Sequence, residues 1–115
     1  MKITNNNKGS ILAEEVILAD TPAKRIKGLL GKKEEDFSEG QALILKPCNS
    51  IHTFFMNFTI DALFVDQENR VIKVLPYLRP FRLSPIIFQS LFVVELPVGV
   101  IQATHTQEGD YLTLE

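Results

Sequence analysis

Ile60-Asp61-Ala62-Leu63-Phe64-Val65, then Asp66-Gln67-Glu68-Asn69, then Arg70-Val71-Ile72-Lys73-Val74-Leu75 is the stretch that decides the fold. Two runs rich in β-branched and aromatic residues flank four polar residues of the kind that reverse a chain, so the stretch reads as a β-hairpin. On either side, further short apolar runs alternate with turn residues: Gln41–Lys46, Phe54–Phe58, Phe92–Leu96 and Tyr111–Leu114. Near the start, Lys2–Asn5 and Ser10–Ala19 flank Asn6, Asn7, Lys8 and Gly9, residues that tolerate the positive φ of a tight connection, and a first hairpin is expected there. One helix is expected. Thr21 or Asp20 can cap it, Pro22 suits its first position, Gly31 suits its left-handed stop, and Ala23, Ile26, Leu29 and Leu30 would share its apolar face. Pro76, Pro80 and Pro85 argue against ladder pairing through Pro76–Ser84, which is expected to be a loop. The sum is a mainly β (β-rich α+β) fold, a barrel or rolled sheet of about six to eight strands with one short N-terminal helix.

The whole chain, residues 1–115, is expected to form one domain, because splitting 115 residues would leave pieces too small to bury a core. Hydrophobic residues at 45% and charged residues at 23% match an ordinary globular mix and argue against disorder. Twelve basic residues against fourteen acids leave a net charge of −2 and no basic field for a phosphate backbone, so nucleic acid is not an expected partner. The single cysteine, Cys48, fits a reducing compartment, and the N-terminal asparagines lack the apolar stretch of a signal peptide. No apolar run approaches the roughly 20 residues of a membrane span. A cytoplasmic location is expected.

The run Ile51-His52-Thr53-Phe54-Phe55-Met56 leading into Ile60-Asp61-Ala62-Leu63-Phe64-Val65-Asp66 resembles the Domain of Unknown Function 192 family, with its His-Thr-x-x-Met and Ile-Asp-x-x-Phe-x-Asp pattern. Ala23, Arg25, Gly28 and Leu29 are similar to that family's helix segment, Glu95-Leu96-Pro97-Val98-Gly99 to its strand exit, and Gly109-Asp110 to its closing pair. The resemblance spans roughly residues 15–113. It implies a β-rich fold with a short helix and supplies no function, and it places this chain in contrast to the many members that resemble exported or lipid-anchored proteins at their N-termini.

Several residues stand out chemically. Cys48 and His52 could form a thiolate–imidazole pair, but an extended chain would hold them roughly 13 Å apart, so they meet only if Pro47, Asn49 and Ser50 turn the chain back. A structural or pocket-lining thiol is the preferred reading. Asp61 and Glu95 each interrupt an apolar strand, and a carboxylate facing inward needs a partner or a proton. Asp61 is expected to hold backbone N–H groups of the His52–Asn57 loop, and Glu95 to pair with Arg79 or Arg82; plain surface exposure, and two carboxylates in one cleft acting as acid and base, are the competing readings. Tyr77, Arg79, Phe81 and Arg82 interleave cations with aromatics, and Phe54, Phe55, Met56 and Phe58 combine core-sized side chains with possible groove-liners. One cysteine and two distant histidines are a poor ligand set for zinc, and no metal or other cofactor is expected. The reading that follows is a non-enzymatic binding or accessory module for a small molecule or protein, of unspecified oligomeric state, with a pocket framed by loops 47–58 and 76–86. Its binding residues would be drawn from Cys48, His52, Thr53, Met56, Asp61, Arg79, Arg82 and Glu95. The alternative is a small Cys/His or carboxylate-based enzyme.

Overall fold

A computed structural model describes residues 1–115. Strands β1 (Ile3–Asn5), β2 (Ser10–Ala19), β3 (Gly40–Leu45), β4 (Ile60–Val65), β5 (Val71–Leu78), β6 (Phe92–Pro97) and β7 (Leu112–Leu114) form one sheet in the order β5-β4-β6-β3-β2-β1-β7. Helices α1 (Pro22–Lys27) and α2 (Val100–Thr104) are short, and a 3-10 turn spans Glu34–Asp36. All neighbours are antiparallel except β2 and β3, and the parallel pair requires the crossover that carries α1. The sheet curls until the β4–β5 turn meets the start of β7. Val71 N–H donates to Asp110 O at 2.8 Å and Leu112 N–H to Asn69 O at 2.8 Å. The result is a half-barrel.

The sheet separates two apolar clusters by the parity of its strands. Ala42 and Ile44, Leu63 and Val65, and Val94 and Leu96 lie on one side with Ile3, Leu12, Val71 and Leu112. All seven strands reach this side, which makes it the concave one, and Val100 and Ile101 of α2 close it. Leu43, Leu45, Ala62, Phe64 and Val93 face the other way, under Leu29, Phe37, Ile51, Met56 and Phe58 from the connecting segments. Central strands covered on both faces are apolar at nearly every position, which is why β4 and β6 read as continuous runs.

The hairpin at 60–75 forms as its sequence dictates: Asp66 Oδ1 accepts from Glu68 N–H at 2.9 Å and Arg70 N–H at 3.0 Å, and Asn69 takes φ 63°, a conformation asparagine tolerates. Three local expectations are corrected. Phe54–Phe58 is a turn, with Met56 N–H donating to Thr53 O and Phe55 at φ 64°; Met56 and Phe58 pack as core knobs without any ladder. Pro76 lies inside a strand, because β5 is last in the order and an extra residue is accommodated where Ala62 faces Leu75 but Ile60 faces Leu78. The first helix stops at Gly28 (φ 45°) rather than Gly31, so Leu29 and Leu30 leave the helical phase. Only Leu29 of the expected apolar face is fully buried, and Ile26 is 74% exposed.

Candidate functional site

β6 presents Glu95 on the convex side of the sheet, where its cross-strand partners are Leu43 of β3 and Ala62 of β4. The residue is 3% exposed, and no hydrogen bond or ion pair from the protein reaches its carboxyl. No fully enclosed side-chain polar atom in the chain lacks a partner, so the Glu95 oxygens open onto the concavity in front of them. Burial in this apolar setting pushes its pKa up to about 8. At neutral pH Glu95 is therefore a carboxylic acid, able to donate one hydrogen bond and accept another.

The concavity has a volume of about 400 Å³ and lies between α1 with residues 28–30 on one side and residues 47–52 on the other. Glu95 and Leu45 form its floor, Leu29, Ile51 and Met56 its apolar walls, and Arg25, Lys27 and His52 supply cationic or polar groups. Arg25 is half-buried and reaches across to donate from Nη1 to the Lys46 carbonyl at 3.4 Å. The Cys48 thiol donates to Ser50 O at 3.2 Å. Its pKa is raised, chiefly by burial and further by the nearby Glu95, with the Ser50 backbone and Arg25 pulling the other way.

Of the residues singled out in the sequence, Cys48, His52, Met56 and Glu95 line this cavity together. Thr53, Arg79 and Arg82 do not, because the two loops expected to frame a pocket are joined to each other, and Asp61 does not because it projects from the other face of the sheet. Thr53 N–H donates to Arg82 O at 2.9 Å, Phe81 N–H to Thr53 O at 2.9 Å, Ser84 N–H to Ile51 O at 2.9 Å and Ile87 N–H to Asn49 O at 2.8 Å. The buried Thr53 Oγ1 completes the seam, donating to Arg79 O at 2.6 Å and accepting from Arg82 N–H at 2.9 Å. None of residues 76–87 lines the pocket.

Asp61 is fully buried and holds backbone N–H groups, but different ones from those expected: Tyr77 at 2.9 Å, Gly99 at 3.1 Å and Ile101 at 2.9 Å. It pins the bulge of β5 to the start of α2. Glu95 makes no pair with Arg79 or Arg82. Asp61 stands opposite Leu96 in the register, and Glu95 opposite Ala62, so the two carboxyls project from opposite faces and cannot share a cleft. His52 is exposed, stacks on Phe54 at 5.2 Å and accepts from Phe54 N–H through Nδ1 at 3.3 Å, leaving the thiol to Ser50. Nowhere do three His, Cys, Asp or Glu side chains gather as a metal cluster. No helix is long and apolar enough to cross a membrane.

Arg25 and Lys27 are the residues that sequence reasoning left out of the site. The signal that points to Arg25 is its place in the family-like segment 23–29.

Residues 2–114 match the family DUF192, described as Uncharacterized ACR, COG1430. The chain is 30% identical over 118 residues to a UPF0127 protein of Thermococcus sibiricus, covering 98% of this chain and 74% of the relative. It is 32% identical over 115 residues to a UPF0127 protein of Thermococcus gammatolerans, covering 96% and 73%. A protein of unknown function from Novosphingobium aromaticivorans shares the fold, with a TM-score of 0.83 at 21% identity, over 98% of this chain and 82% of that one.

Proposed function

We propose, from the premise that this chain belongs to the uncharacterised DUF192 family, that it is a small-molecule binding module whose site is the cavity between α1 and residues 47–52. The observation that carries this reading is Glu95: a carboxyl nine-tenths and more buried, given no partner by the protein, opening onto a cavity of ligand size. A polar group left in that state is costly unless something else satisfies it, and a ligand acceptor is suited to do so. The surroundings argue for binding over catalysis. A nucleophilic thiol needs a lowered pKa, and that of Cys48 is raised; an acid–base pair needs two carboxyls in one cleft, and Asp61 faces the other side of the sheet.

The test is a fragment screen of the ¹⁵N-labelled chain by NMR, with neutral, anionic and cationic compounds. Binding is expected to move amide resonances of residues 25–30 and 47–52 together. Shifts confined to other surfaces, or none across the panel, would refute the reading.

A further inference from the structure

Resting on that binding reading, we infer that the ligand is a small organic carboxylate that also carries a neutral carbonyl, its carboxylate held by Arg25 and its carbonyl accepting from the Glu95 carboxyl. The charges around the cavity set the ligand's sign. From α1 come Arg25 and Lys27, from the segment after β3 come Cys48 and His52, and from β6 comes Glu95 alone, flanked in the sheet by apolar Leu43 and Ala62. A buried acid without donors around it holds its proton, so the cavity carries two fixed positive charges and no fixed negative one.

Arg25 spends one of its five N–H donors on the Lys46 carbonyl, which holds the guanidinium in place and leaves donors for a planar carboxylate. Glu95 lies at the floor, where a protonated carboxyl offers its O–H to a neutral oxygen. Arg25 and Glu95 line the same cavity together with Cys48, so one ligand can meet both. Leu29, Leu45, Ile51 and Met56 then suit an apolar body between the two polar ends. A cation would meet Arg25 and Lys27 on entry and would have to ionise Glu95 to be held.

Titration calorimetry on the full chain at about pH 6.5 tests this with four probes: 5-oxohexanoate, hexanoate without the carbonyl, 2-hexanone without the carboxylate, and hexylammonium. The expected result is that 5-oxohexanoate binds at least about tenfold tighter than the others. Arg25→Gln should erase its advantage over 2-hexanone. Raising the pH to about 9.5 should weaken 5-oxohexanoate by about 30-fold, in proportion to the protonated fraction of Glu95. Glu95→Gln, whose amide still donates but does not ionise, should lose nearly all of that pH dependence and so separates Glu95 from Cys48, His52 and Lys27. Preference for hexylammonium, or affinity that rises with pH, would overturn the inference in favour of an ionised Glu95 holding a cation. If the four probes fail while other fragments move the pocket resonances, the carboxylate assignment falls and the binding reading stands; if no fragment moves them, both fall.

Discussion

Glu95→Gln should make the protein more stable, by an amount that depends on pH in a way the buried carboxyl dictates. In the folded chain Glu95 keeps its proton up to about pH 8, whereas a freely solvated glutamate releases it near 4.5. Between those values the unfolded state binds fewer protons than the folded one, so stability falls as pH rises through that window. The full span, at about 1.4 kcal/mol per unit, amounts to about 5 kcal/mol once pH exceeds 8, and about 3 kcal/mol has already been lost at pH 7. A neutral amide in the same place removes this term, and the one other shifted group it touches is the Cys48 thiol, whose raised pKa Glu95 adds to only secondarily to burial. Urea denaturation of both proteins at several pH values between about 4 and 9 measures it. The two stabilities should coincide near pH 4 and diverge by about 3 kcal/mol at neutrality, with the variant on top. Curves that run parallel across the range would show Glu95 to be ionised and solvated in the folded state, and the reasoning about the pocket floor would fail with it.

Three further outcomes follow from the geometry. Asp61→Ala strands the N–H groups of Tyr77, Gly99 and Ile101 in a buried setting and should cost about 3 kcal/mol of unfolding free energy, whereas an unchanged denaturation midpoint would contradict its pinning role. Thr53→Val keeps the shape but removes the Oγ1 bridge between Arg79 and Arg82, so about 1–2 kcal/mol should be lost and the Arg82 amide should exchange faster with deuterium; protection equal to wild type would show the seam holds without it. His105 ends α2 exposed at φ 55°, so His105→Gly should raise stability by about 0.5–1 kcal/mol, and a thermal midpoint that falls would mean the imidazole contributes more than its backbone strain costs.

The hairpin at 60–75 was legible because its turn chemistry is local: Asp66 and Asn69 act within four residues of themselves. Asp61 and Glu95 were legible as anomalies for a similar reason, since an acid in an apolar run has to be answered somewhere. What each one answers to was not legible. The acceptor role expected of Asp61 is there, but its donors come from residues 77, 99 and 101, which sequence distance hides. Helix α2 went unforeseen because Val100-Ile101-Gln102-Ala103-Thr104 is short and three of its five residues are β-branched, and its start is held by Asp61 instead of a cap of its own.

The amino-acid order alone determined that the chain is mainly β, where its central hairpin turns, and which two acids are out of place, because alternation, turn preference and apolar neighbours act over a few residues. Tertiary structure decided which face each acid occupies. Pairing Asp61 with Leu96 and Ala62 with Glu95 sends the carboxyls to opposite sides, and a register slipped by one residue would reverse that assignment. It also decided which loop the 47–52 segment joins and that Arg25, seventy residues before Glu95, comes to stand over the same cavity. Those outcomes depend on strand order and on hydrogen bonds between distant backbones, and no local pattern encodes either.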